Sequence, residues 1–168
     1  GESLWLDAVP LVVIPVTQLL PAANYGTTNG PGPATWYPIT NVVFGLPTNF
    51  NNVSVTVTVS GLNHYRSADL SILLVSPLGT NVMLMSNVGG NHSVSYGNIS
   101  FSQGATSQPA PGGPLLVPGQ YYVAYQPSNY GQESQMPQTG SDPPPTNSVP
   151  YSTNLLDLQH DNPNGAWK

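Results

Sequence analysis

Hydrolysis by a nucleophilic serine needs that serine, a histidine base and an orienting carboxylate within hydrogen-bond reach. His64 and Asp69 sit close together and serines are plentiful. No Gly-x-Ser-x-Gly elbow accompanies them, so nothing presents a serine for attack. No catalytic residue is assigned, and the chain is expected not to be an enzyme. The absence of cysteine excludes a thiol nucleophile, a zinc knuckle and a disulfide framework. The densest group of oxygen donors is Asp157, His160, Asp161, Asn162 and Asn164. Calcium accepts carboxylate, amide and carbonyl oxygens, about six to eight of them. Asp157, Asp161 and Asn164 are therefore the candidate calcium ligands. Two carboxylates make a weak site, and Pro163 stands where an EF-hand loop would need a ligand, so a tight turn is the leading expectation. Trp36, Tyr37, Tyr121, Tyr122, Tyr125, Tyr130 and Tyr151 could supply rings for stacking on sugars. On a strand, Tyr121 and Tyr125 share one face and Tyr122 takes the other. Tyr121 and Tyr125 are candidate interaction residues with a glycan as candidate partner; the alternative is that inward rings fill the core.

The elements that must position these residues are strands. Val53, Val55, Val57 and Val59 alternate with Ser54, Thr56, Thr58 and Ser60, which is the period of a half-buried strand. A second run spans Asp69 to Val75. A turn at Ser76-Pro77-Leu78-Gly79-Thr80 follows, where proline presets φ and glycine accepts a positive one. A third run spans Asn81 to Met85, and together these predict a β-meander. Further strands are expected at Ile39–Phe44, Val94–Ser102 and Gln120–Gln126. Leu155, Leu156 and Leu158 begin a last element, Asp161 to Gly165 is a turn, and Ala166-Trp167-Lys168 opens another strand. Residues 127–150 read as a long proline-rich surface loop. Nineteen prolines and 17 glycines leave no sustained helical period. The expected fold is all-β, a jelly-roll-like antiparallel sandwich with an extended N-terminal arm and long loops.

Only 5 % of the 168 residues are charged, with two basic and seven acidic side chains and a formal net charge of −5. No Lys/Arg stripe for phosphates can be assembled, which excludes nucleic acid, and anionic membrane surfaces are disfavoured. So weakly charged a surface repels its neighbours little, which favours close packing of subunits. The sequence opens on Gly1-Glu2-Ser3, as expected of a processed or excised segment. Its longest apolar run, Leu11 to Val16, is too short to span a bilayer. Residues 1–38 divide off as an apolar arm and a Gly/Pro-rich linker, and residues 39–168 as the sandwich. Within the arm, Trp5, Leu11, Val12, Val13, Ile14 and Val16 are candidate interaction residues. Pro10 and Pro15 exclude a helix between them and suit an edge strand, on this domain or on a neighbour.

Two stretches resemble a known family. One is Val55-Thr56-Val57-Thr58-Val59 followed by His64 and by Asp69-Leu70-Ser71-Ile72-Leu73-Leu74-Val75-Ser76-Pro77-Leu78-Gly79-Thr80. The other is Asn162-Pro163-Asn164-Gly165-Ala166-Trp167-Lys168. In this order they resemble the P domain, or P/Homo B domain, of proprotein convertases and modular bacterial secreted proteins, over roughly residues 39–168. The resemblance implies structural roles for His64, Asp69, Ser76, Pro77, Gly79, Thr80, Asn162, Gly165 and Trp167. Asp69 is expected to cap a turn on backbone N–H groups and His64 to brace it. The family continues beyond the tryptophan with further strands, so the expectation is either a truncated chain or completion by the arm or by another chain. The expected function is a non-catalytic structural or assembly module, extracellular or at the cell surface, that associates with itself or with a neighbouring domain. It would be a subunit of a surface or filament assembly completed by strand addition. The alternatives are a carbohydrate- or surface-binding accessory domain of a secreted enzyme, and the stabilising P domain of a subtilisin-like protease.

Overall fold

The computed structural model describes residues 38–47, 53–133, 136 and 150–168. Eight strands form in them: β1 Asn41–Val43, β2 Val57–His64, β3 Ser71–Val75, β4 Asn81–Ser86, β5 Val94–Phe101, β6 Tyr122–Tyr125, β7 Ser128–Asn129 and β8 Gly165–Trp167. Two short 3-10 helices, Ser67–Asp69 and Leu155–Leu158, complete the regular structure, and no α-helix occurs among the described residues. The fold over these residues is all-β.

β2, β5 and β6 make one sheet, β3, β4 and β7 a second, and β1 with β8 a two-stranded ribbon. The expected meander is corrected here. β3 and β4 do form a hairpin, but β2 pairs with β5 rather than with β3. The segment from Tyr65 to Leu70, with its 3-10 turn, separates β2 from the sheet that β3 enters. The wholly antiparallel expectation is corrected too, because β5 pairs with β6 in parallel and β4 with β7 in parallel. A parallel neighbour needs a crossover of about a dozen residues or more. The proline- and glycine-rich segment 102–121 gives β5 and β6 that reach.

The alternation in β2 sends Val57 and Val59 to the same side as their partners Phe101 and Ile99 on β5. Val123 and Tyr125 of β6 lie opposite Ile99 and Phe101 and extend that layer. One core cluster joins both sheets. It takes Leu62, Ile99 and Phe101 from the first, Val82, Leu84 and Met85 from the second, and Leu155 and Leu158 from the second 3-10 helix. Each such side chain contributes roughly 1.5–3 kcal/mol when fully buried. β4 is buried along Val82 to Ser86 because its other face is also covered, with Met83 packed on Met136 and Tyr151. A strand buried on both faces reads as a continuous apolar run, as Val82-Met83-Leu84-Met85 does.

The ribbon is fastened to the second sheet. The N–H of Val75 donates to the carbonyl of Lys168 at 2.8 Å, and the N–H of Lys168 donates back at 3.0 Å. This reciprocal pair has the pattern of an antiparallel ladder.

Candidate functional site

The two stretches that carry the family resemblance meet in space. Ser76 opens the turn between β3 and β4. Its N–H donates to the carbonyl of Thr80 at 2.8 Å, and its own carbonyl accepts from Gly79 at 3.0 Å. Ser76 is buried, so its hydroxyl must find partners inside the protein. It accepts from the N–H of Thr80 and donates to the carboxylate of Asp161. Gly165, at φ +128°, stacks against Pro77, where a Cβ would fall 2.7 Å from the proline Cβ. Only glycine fits both that backbone and that distance. Asn164 turns its amide on Leu46, accepting from the backbone N–H and donating to the carbonyl, each at 2.8 Å. Asn162 accepts from the N–H of Asn164. Trp167 donates its indole N–H to the carbonyl of Pro163 at 2.8 Å and packs on the core. The junction therefore locks β1, β8 and the β3–β4 turn together. Its polar groups are directed at one another.

The expected roles of His64 and Asp69 divide. His64 does brace its turn, with Nδ1 2.8 Å from the carbonyl oxygen and 3.2 Å from the backbone nitrogen of Arg66. Asp69 does not supply the expected cap. Its carboxylate lies 3.5 Å from Nε of Arg66, and the turn closes through backbone bonds from Asp69 to Arg66 and from Leu70 to Ser67. Both charged side chains are more than a third exposed, and such pairs add at most about 1 kcal/mol.

The candidate calcium ligands serve separate partners. Asp157 accepts from Ser152 at 2.6 Å and from the Asn154 amide at 3.0 Å, which supports the start of the second 3-10 helix. Asp161 receives Ser76, and Asn164 holds Leu46. Among the described residues no group of three or more His, Asp or Glu side chains could hold a metal ion. No helix among them is long and apolar enough to cross a membrane. The candidate arm residues Trp5, Leu11, Val12, Val13, Ile14 and Val16 lie outside the described residues.

The two candidate tyrosines part company. Tyr125 packs against the core and donates its hydroxyl to the carbonyl of Leu115 at 2.7 Å. Tyr121 is exposed. Two features escaped the residue pattern altogether. The first is a clamp at Asn129. Its oxygen accepts from Ser86 and from the N–H of Glu133, and its amide donates to the carbonyls of Glu133 and Tyr151. All four polar positions of the side chain are filled. The clamp forms one wall of an open cavity of about 460 Å³ that is also lined by Gln108, Tyr130 and Gln132. No periodicity announces it, because β7 is only Ser128–Asn129. The second is an apolar outer surface at the ribbon. Val42 and Phe44 are exposed, Phe44 to 84 %, and Leu78 projects beside the Pro77–Gly165 contact. The chain matches no family model, no curated protein and no solved structure.

Proposed function

We propose that this chain is a non-catalytic structural module of an extracellular or cell-surface protein, built as a jelly-roll-like sandwich related to the P domain, and that it associates with a second copy of itself. The observation that carries this reading is the apolar surface of the ribbon. Val42 pairs with Ala166 and Val43 with Gly165, while Gly165 lies on Pro77. Val42 and Phe44 on the ribbon and Leu78 on the turn that it touches are all exposed. Exposed apolar groups clustered in this way mark contact surfaces. With so few charges in the chain, two copies would approach against little repulsion.

Sedimentation velocity over a concentration series tests the reading. The chain is expected to form dimers or larger species, and Phe44→Glu to return it to monomer with an unchanged circular dichroism spectrum. A chain that stays monomeric throughout, or a Phe44→Glu variant that associates as before, overturns it.

A further inference from the structure

We infer that the outer face of the β2–β5–β6 sheet is a binding platform for an uncharged polysaccharide, with the ring of Tyr96 as its anchor. Tyr96 holds a φ of +53°. That left-handed backbone suits glycine, asparagine or aspartate, and it is an outlier for a bulky aromatic residue. It occurs where the β2–β5 register shifts, between Val59 and Leu62 and again before His64, as in a bulge that would ordinarily place glycine. Burial of the ring does not offset the strain, because Tyr96 is 74 % exposed. Neighbouring Gly97 faces inward, where a Cβ would fall 2.2 Å from Leu116 Cδ1, so Tyr96 points out. A side chain that the fold neither buries nor favours points to a use outside the fold.

The surroundings specify that use. Tyr122 pairs with Asn98, two residues along β5 from Tyr96, and is itself 56 % exposed. Asn98 accepts from the N–H of Gly61 through its side-chain oxygen, which ties the row to β2. In the next row the exposed hydroxyl of Thr58 is hydrogen-bonded at 2.6 Å to that of Ser100, which is itself buried. No residue of these two rows is charged. The face thus alternates amphipathic rings with hydroxyl and amide groups and carries no formal charge. A neutral sugar chain presents the matching surface, with C–H faces for the rings and hydroxyls for the polar rows. A charged polymer would find no counter-ion here.

Affinity electrophoresis of the whole chain in gels containing hydroxyethylcellulose, xylan, galactomannan or a soluble β-1,3-glucan tests this, with alginate as the charged comparison. At least one neutral polysaccharide is expected to retard the chain and alginate is not. Tyr96→Gly relaxes the backbone while removing the ring, so it should melt no lower than the parent and yet weaken retardation about tenfold or more. Tyr122→Ala should weaken it as well, whereas Phe44→Glu should leave it unchanged. The proposal is overturned if no neutral polysaccharide retards the chain, if Tyr96→Gly binds as well as the parent, or if that variant unfolds more easily. Loss of self-association in Tyr96→Gly would also overturn it, since the face would then be a protein contact.

Discussion

Tyr125 shows how a single residue divides what a pattern leaves joined. It shares a strand parity with Tyr121, yet its hydroxyl ends on the Leu115 carbonyl and its ring on the core. Burial pushes its phenol above the ordinary tyrosine value of 10.0. The folded protein holds that proton more tightly than the unfolded chain does. The contribution to stability is therefore complete below the unfolded value, near 10, and is lost as pH rises through the folded one. Tyr151 is raised in the same direction, also chiefly by burial. The urea midpoint should thus fall as pH is raised above about 10. Tyr125→Phe should lose about 1 kcal/mol at neutral pH, the usual worth of one such hydrogen bond, and should show a shallower alkaline decline. If the decline is as steep in the variant as in the parent, Tyr125 is not its source.

At the scale of elements, the sequence is most legible where one strand face meets water. Alternation locates β2, though the strand begins at Val57 and runs on through Gly61 to His64. The β3–β4 hairpin was legible from its turn chemistry, and β8 from the turn ending at Gly165 and the Ala166-Trp167 that follows it. Partnership was not legible. Val57 and Val59 would suit any apolar layer, and only the assembled sheets decide that they lie opposite Phe101 and Ile99. The Asn129 clamp was hidden for a related reason, since its three partner residues lie 4, 22 and 43 residues away. The polar end of the chain was half legible. The cluster Asp157 to Asn164 could be read as turn or as ligand set, and the hydrogen bonds to Ser76 and Leu46 show what Asp161 and Asn164 hold. The turn into β8 can be tested through Gly165. Alanine there meets an unfavourable φ and the ring of Pro77 together. Gly165→Ala should destabilise the protein by about 2–4 kcal/mol, the range for strain added to overpacking, measured by urea denaturation. A loss within about 0.5 kcal/mol, as at an unremarkable surface site, would show that the Pro77 contact yields freely.

For the molecule as a whole, the question is whether the ribbon and the two larger sheets open as one unit. The core cluster draws on both three-stranded sheets, and of the ribbon only Trp167 packs against it, from the half-buried margin. The ribbon is held instead by the Val75–Lys168 pair, the Ser76–Asp161 bond, the Pro77–Gly165 contact and the two bonds between Asn164 and Leu46. Regions held by few buried apolar contacts open at lower free energy than the global transition. Asn164→Ala removes both bonds to Leu46 and leaves its backbone N–H and carbonyl to water. Native-state hydrogen exchange should then quicken in β1 and β8, by about ten- to a hundredfold for a loss of 1.4–2.8 kcal/mol. The amides of Ile99, Ser100 and Phe101 in β5 should keep their parental rates, because nothing in their ladder touches Asn164. Equal acceleration in β5 would show that the ribbon unfolds only with the core. The proposed self-association surface would then rest on a rigid base. Selective acceleration would place Val42 and Phe44 on an element that can shift to meet a partner while the tyrosine face across β5 and β6 stays fixed.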